Sequence, residues 1–559
     1  MAVDAFGVSG VTPIDEPPRR RHEATLMTIH EHGDRPYEWV GALSERRAAL
    51  SPDRVGVVDA DTGDEYTYSE LDTRANRTAR LLREKGVEMG DRVAVVSRNR
   101  IELIDLYFAT GKIGAVLAPL SHRLAPREIT ELLNDVDPEL LVVEQPFDGD
   151  VDSALRSADR EFEVPPVIGL PSAGDGDFRE HDESGEYTWE TYTDALSTDD
   201  SPVDGVDVAL SDPHLFLHTG GSTGLPKEVI QTHGGITWNA FNTIISWGLR
   251  PDDVTPMVFP LFHTGGWNVL TIPLFHLGGT VMISRDFDPR QVLTLIEEYE
   301  ATLLVAVPAI LRFMVEDEEW PNTDLSSLRM VKSGGGPARE TIIESWSKRG
   351  IDISQGYGLT ECGPNNFTMP DDFPREKTDS IGMPGLYVDA RVVDGGDEVD
   401  QGEVGELELA SPHAGAGYWR NEQETEETFG GGWVSTGDLA RVDDDGYYHI
   451  EGRKKNLFIS GGENVYPPEV EDVITNHPKV EEAIVVPVDD EKWGQVGKAV
   501  VEGDSSLTLD ELQEFMQDRI AGFKIPKHLE FVDSMPISGA GKIQRKELED
   551  EFGDTGGGA

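Results

Sequence analysis

The sequence predicts an α/β protein built on a largely parallel sheet, followed by a β-rich stretch and a smaller α+β unit. Three observations predict it. From Val55, short apolar runs alternate with helical stretches. Between Gly385 and Leu439 the pattern changes to alternating strands with glycine turns, and from Gly452 a separate unit begins. A chain of 559 residues is too long for one core, so two or more domains are expected.

The elements follow in order. Residues 1–35, mixed and containing Pro and Arg, are read as a poorly ordered arm. Strands are expected at Val55–Val58, Val93–Val96, Val116–Pro119 and Leu140–Glu144, and helices at Ser69–Lys85, Glu102–Ile113 and Arg127–Asn134. Residues 145–205, acidic and weakly periodic, are expected to form a surface excursion with some short elements. A helix is expected at Ile236–Leu249, then a further α/β unit. Its strands are Met257–Phe259 and Thr280–Ile283, its helix is Pro289–Tyr299, and short buried strands follow at Leu303–Ala306 and Met330–Lys332. In the last unit, Thr508 and Glu511 have capping-box spacing ahead of a helix at Leu509–Ile520.

Composition narrows the function. With 105 acidic against 48 basic residues, the net charge is -57. That field repels nucleic acid and anionic membranes, and self-repulsion destabilises the fold unless salt screens it. A halophilic, high-salt cytoplasm is the expectation. The single cysteine, Cys362, permits no internal disulfide and fits a reducing compartment. No apolar run follows Arg19–Arg21, so no signal peptide is expected, and no stretch reaches membrane-spanning length. A cytoplasmic protein without integral membrane association is expected.

Chemistry concentrates in a few stretches. Thr219-Gly220-Gly221-Ser222-Thr223-Gly224-Leu225-Pro226-Lys227 lies between two strand-like runs. Its glycines let backbone N–H groups converge on an anion, and its hydroxyls and lysine add donors and positive charge. By itself it fits a phosphate cradle or a Gly/Ser surface hairpin about equally. It is not a Walker loop, because the lysine follows proline and no helix opens after it. Further on come Ser333-Gly334-Gly335-Gly336-Pro337, Gln355-Gly356-Tyr357-Gly358-Leu359-Thr360-Glu361, Thr436-Gly437-Asp438, Gly452-Arg453-Lys454-Lys455, Ser460-Gly461-Gly462 and Ser538-Gly539-Ala540-Gly541-Lys542. Each alone reads more simply as turn glycines or solvated charge.

In this order, over about Val55 to Leu548, they resemble the adenylate-forming superfamily of acyl-CoA synthetases, luciferases and peptide-synthetase adenylation domains. The resemblance implies a large N-terminal domain of two α/β subdomains plus a β-barrel-like subdomain, and a smaller mobile α+β C-terminal domain. The corresponding boundaries are 36–451 and 452–559, with a hinge near 453–456. It implies ATP, Mg²⁺ and CoA as co-substrates of a small carboxylic acid, with a homodimer left open. Thr219, Gly220, Gly221, Ser222, Thr223, Gly224 and Lys227 resemble the loop on the β- and γ-phosphates. Gly335, Gly336 and Pro337 resemble the adenine wall, and Tyr357 its stacking ring, with Gln355 and Gly356 adjacent. Thr360 resembles the α-phosphate ligand, Glu361 with Thr219 the Mg²⁺ site, and Asp438 with Arg453 the ribose site. Lys455 stands at the hinge. Lys542 resembles the lysine that bridges the carboxylate and the α-phosphate. Ser460, Gly461 and Gly462 would line the pantetheine channel after the small domain rotates. The chain departs from the family pattern at Gly220, Glu228, Gly336 and Asn456.

Phe262, His263 and Trp267 fall where the family lines its acyl pocket, and Gly363 is expected to leave room along the chain. No aspartate stands there to hold an amino acid's ammonium. Phe262-His263 with Trp267 resembles fatty-acyl and aryl-acid CoA ligases. The resemblance implies a medium- or long-chain fatty acid first, as in fatty-acyl members where a tryptophan here gates a tunnel, with an aryl acid second and a carrier-loading acyl-AMP ligase as a further alternative. Trp267 and His263 are read equally well as core residues.

Overall fold

In the computed structural model the described residues are 37, 39–172, 189–219, 227–335, 340–370, 373–460, 463–490, 492–517, 519–538 and 542–553. The N-terminal arm, Gly220 to Gly224, Gly336, Pro337, Gly461 and Gly462 lie outside them.

Two α/β layers form the bulk of the chain. The first is a seven-stranded sheet in the order Trp189–Thr191, Val167–Leu170, Leu140–Glu144, Arg92–Val96, Val116–Leu120, Pro213–Thr219, Lys227–Thr232. All neighbours run parallel except the last pair, an antiparallel hairpin in which Thr219 faces Lys227. Residues 145–205 therefore do more than wander over the surface, since they add two strands to this sheet.

The second layer holds a four-stranded sheet (Val254–Met257, Thr280–Ile283, Val55–Asp59, Asp64–Thr67) and a parallel three-stranded one (Leu303–Ala306, Met330–Ser333, Ile353–Gln355). Val55–Asp59 is early in sequence yet pairs with Thr280–Ile283, Val57 opposite Val281. Local periodicity carries no information about that partner. The strand expected at Met257–Phe259 lies instead at Val254–Met257, on a sheet edge where Pro256 need not donate to a ladder.

The helices follow their sequence signals closely. Tyr68–Glu84 opens on a complete capping box between Thr67 and Glu70, and buries Tyr68, Leu71, Ala75, Ala79 and Leu82 at helical spacing. Ile101–Ile113 is buried on every side except at Glu102, as a helix in the main core must be, and ends at Gly114 with φ 70°. At the far end of the chain, Thr508 Oγ1 accepts from the Glu511 N–H at 3.2 Å, but Glu511 pairs with Lys479 at 2.9 Å. The helix stops at Met516.

Between 385 and 453 lies an antiparallel five-stranded sheet, Asp397–Glu398, Asp389–Asp394, Gly405–Ala410, Val434–Val442, Tyr448–Arg453. Its strand order is open among the described residues, with only a single bridge from Tyr448 to Gly382 beyond the last strand, which corrects the barrel-like expectation. A helix at Glu422–Phe429, capped by Asn421, interrupts the predicted run of strands. The C-terminal sheet has its own core of Val470, Ile474, Val485, Val501 and Leu512. Arg453 still belongs to the large unit's sheet and Phe458 to the small one's, so the chain crosses at Lys454–Asn456. No helix among the described residues is long and apolar enough to cross a membrane.

One buried charge stands out. Glu228 is 1% exposed, neither carboxylate oxygen has a hydrogen-bond partner among the described residues, and burial with Asp135 nearby pushes its pKa up to about 8. A carboxyl raised this way stabilises the fold fully below its unfolded pKa of about 4, and the contribution is lost as pH rises towards 8. Glu228→Gln should therefore remove a stability slope of about 1.4 kcal/mol per pH unit between pH 5 and 8. Thermal melts of both proteins across that range read it. Parallel curves would mean that Glu228 does not titrate there.

Candidate active site

The predicted site residues come together where the two α/β layers, the open sheet and the small unit meet. Several sit at the carboxyl ends of parallel strands, the usual place for a ligand in such sheets: Thr219 ends one, and Gly335 and Tyr357 follow two others. Asp438 and Arg453 face each other across an antiparallel pair.

Arg453 Nε contacts Asp438 Oδ1 at 2.6 Å, and the Tyr357 hydroxyl donates to Asp438 Oδ2 at 2.5 Å. Burial raises the Asp438 pKa against the opposing pull of Arg453, Tyr357 and Lys542. The Tyr357 phenol is pushed well up by burial and the Asp438 charge. Arg453 Nη1 also donates to the Thr436 carbonyl at 3.1 Å, so the carboxylate is held from two sides. Tyr357 packs its ring edge-on to Phe367 at 5.5 Å.

Glu361 lies in a short 3₁₀ turn, Thr360–Cys362. Its Oε1 accepts from the Tyr418 hydroxyl at 3.0 Å and from Thr219 Oγ1 at 3.4 Å. Gln231 donates to the Thr360 carbonyl at 2.7 Å and fixes the turn to the hairpin strand. The Glu361 carboxylate and the Thr219 hydroxyl are hard oxygen donors that fit Mg²⁺, an ion that keeps most of its positions for phosphate and water. Among the described residues, no three His, Cys, Asp or Glu side chains converge on a metal position.

Lys227 begins the second hairpin strand, ion-paired with Glu424 and 5.4 Å from the Tyr418 ring centre. Desolvation lowers its pKa, Glu361 and Glu427 oppose that, and Lys455 adds to it. Lys455 therefore stands within electrostatic reach of Lys227.

Lys542 comes from the small unit. Gly335 has φ 82°, and a Cβ there would lie 3.1 Å from Lys542 Cε. The bare backbone is what admits the lysine. Although the residue as a whole is exposed, its ammonium enters the cleft, where desolvation and Arg453 lower its pKa against Asp438 and Glu361.

His263 receives the Gly265 N–H on Nδ1 at 3.1 Å, so the neutral ring carries its proton on Nε2. Desolvation, Lys542 and His218 push its pKa down to about 3, which keeps it a neutral donor. Trp267 is fully buried, donates to the Leu261 carbonyl at 2.5 Å and stacks on Tyr107 at 5.0 Å. Gly363 does not open space as expected. With φ 71°, a Cβ there would meet His413 Cδ2 at 2.8 Å and Asn239 Oδ1 at 3.3 Å, so the glycine accommodates protein. Gln355 gives its amide to the Thr378 carbonyl at 3.1 Å, and Gly356 donates its N–H to Ser333. Ser460 is buried in the small sheet opposite Glu463. Cys362 is fully buried and its thiol pKa is pushed well up, which leaves it no nucleophilic role.

Tyr418, Gln231 and Glu424 escaped the sequence reading. None lies within a motif, and only the fold brings them against Glu361, Thr360 and Lys227.

Residues 44–419 match the AMP-binding enzyme family, and residues 469–542 the AMP-binding enzyme C-terminal domain. Feruloyl-CoA synthase of Amycolatopsis sp is 37% identical over 92% of this chain and 99% of its own length. Indoleacetate–CoA ligase of Aromatoleum aromaticum is 34% identical, over 91% and 97%. Among solved structures, ATP-bound MatB from Rhodopseudomonas palustris superposes with a TM-score of 0.80 at 30% identity, covering 92% of this chain and 99% of that one. With two family domains in order, relatives over nearly the whole chain that are CoA ligases and a site assembled from the seven-, three- and five-stranded sheets and the small unit, the chain belongs to the AMP-binding enzyme family and is an AMP-forming acyl- or aryl-CoA ligase.

Proposed function

We propose that the enzyme activates an aryl carboxylic acid as its acyl-AMP and transfers the aryl-acyl group to CoA. The observation that carries the choice of acid is Trp267. A tryptophan that gates a long-chain tunnel has to swing. This one is hydrogen-bonded to Leu261, stacked on Tyr107 and fully buried, so in this reading it is a fixed floor for the acid and not a gate. A flat, compact acid suits such a floor, and relatives named for feruloyl-CoA and indoleacetate–CoA support the reading. The fatty-acid reading favoured by sequence keeps support as well, from a relative named as a long-chain-fatty-acid–CoA ligase and from the shape of the core beside Trp267. An apolar cleft lined by Tyr107, Phe108, His214, Ile236 and Phe241 lies beyond the Tyr107 ring and would take an acyl tail if Trp267 moved.

The residues divide the work by charge. The acid's carboxylate and the α-phosphate repel each other, and Lys542 lies between them and neutralises both. His263 donates from Nε2 to the carboxylate and orients it. Lys227 and the loop it ends hold the outgoing pyrophosphate, while Asp438, locked by Arg453 and Tyr357, takes the ribose hydroxyls. Mg²⁺ at Glu361 and Thr219, when bound, offsets the phosphate charge. For thioester formation the small domain turns about Lys454–Asn456, withdraws Lys542 and brings Gly461 and Gly462 to a pantetheine channel. The protein works in the cytoplasm at high salt.

Acid-dependent ATP–pyrophosphate exchange in molar KCl, followed by CoA thioester formation, tests the substrate. Hydroxycinnamic and indolic acids should exchange at least tenfold faster than octanoate or palmitate, and a preference for the aliphatic acids would overturn the aryl reading. Lys542→Ala should lower adenylation by roughly 10²–10³-fold while sparing thioester formation from supplied acyl-AMP. Trp267→Ala should cost roughly 3–5 kcal/mol of stability and widen acceptance towards longer aliphatic acids. Chemical denaturation and the same substrate panel measure both.

A further inference from the structure

Lys227 is already engaged before any nucleotide is considered, and its partner is a fixed part of the site. Glu424 lies in the first turn of the Glu422–Phe429 helix, where the helix dipole favours a carboxylate. Its own N–H donates to Asn421 Oδ1 at 3.2 Å, which caps the helix. The helix is tied to the hairpin strand that carries Lys227. The Tyr418 N–H donates to Thr425 Oγ1 at 2.9 Å, the Trp419 N–H to the Glu228 carbonyl at 2.8 Å and the Ile230 N–H to the Gly417 carbonyl at 2.9 Å. Both side chains of the ion pair are largely covered, with 18% of Lys227 and 26% of Glu424 exposed. The same segment reaches the centre of the site, because Tyr418 both faces the Lys227 ammonium and donates to Glu361.

An ammonium has one positive charge to share. A triphosphate that reaches Lys227 meets the Glu424 carboxylate in its place, and the two anions repel each other at that distance. Nucleotide binding therefore includes breaking this ion pair, and release of the phosphates lets it form again. Resting on the reading of Lys227 as the phosphate-loop lysine, we infer that Glu424 is a counter-ion that competes with the phosphates of ATP for Lys227. It is a positioning residue that weakens nucleotide binding and speeds pyrophosphate release.

Steady-state kinetics on Glu424→Gln test the inference, with isothermal titration of ATP in the absence of acid. Glu424 is partly exposed and its substitution is isosteric, so the fold is retained. The KM and Kd for ATP should fall by about 3- to 10-fold, and the inhibition constant of pyrophosphate should fall with them. The kcat should stay level or drop. Glu422→Gln removes the same charge from an exposed position two residues earlier in the same turn and should leave all three constants unchanged. In a Lys227→Ala background the gain from Glu424→Gln should shrink, because only the direct repulsion is left to relieve and no ion pair has to break. Unchanged or weaker ATP binding in Glu424→Gln would overturn the inference, as would an equal gain in Glu422→Gln, which would assign the effect to bulk charge. If Lys227→Ala leaves ATP affinity intact, the phosphate role of Lys227 falls, and the inference falls with it. If Lys227→Ala weakens ATP binding while Glu424→Gln changes nothing, only the inference falls.

Discussion

The site depends on Lys542 reaching past Gly335 from a separate folding unit. A single added methyl group at 335 would lie 3.1 Å from the lysine stem, and φ at that position excludes most side chains. Everything else in the site is arranged around the charge this lysine brings. Asp438 and Glu361 draw its ammonium in, Arg453 opposes it, and His263 stays neutral partly because Lys542 is near. A protein carrying a net charge of -57 thus concentrates Lys227, Arg453, Lys455 and Lys542 about one cleft. The global field repels anions while the local one collects them, and high salt screens the first over long range more than the second at contact distance.

The same cleft keeps its imidazoles neutral by desolvation. His122, His218 and His263 all sit well below the ordinary histidine range, and Phe262 packs between His122 and His218 at 5.5 and 5.9 Å. Neutral rings leave the positive charge to the lysines, whose positions are set by the fold. Burial of Trp267 against Tyr107 adds an aromatic stack to the core, and the aryl-acid proposal rests on this packing.

Much of the architecture could be read from periodicity. The helices at Tyr68–Glu84 and Ile101–Ile113 and the strands at Leu140–Glu144 and Leu303–Ala306 lie within a residue or two of expectation, because caps, glycines and apolar runs act over a few residues. Partners were another matter. Val55–Asp59 joins a strand more than two hundred residues away, and residues 145–205 extend a sheet that their weak pattern did not announce. Closure of the β-rich sheet also failed to follow from its alternation, since alternation fixes faces and says nothing of whether two edges meet.

The sequence alone determined the class of protein, its acidic character and the motif order that names its family, because glycines, lysines and hydroxyls at set spacings carry local chemistry. It also identified Lys227, Glu361, Asp438, Arg453 and Lys542 as the residues to watch. Only the tertiary structure decided which of them touch and what else joins them. Tyr418 on Glu361, Glu424 on Lys227, Tyr357 on Asp438 and the closed position of Trp267 all arise between segments distant in the chain. Contacts of that kind are set by how sheets and helices pack, and packing is a property of the whole fold.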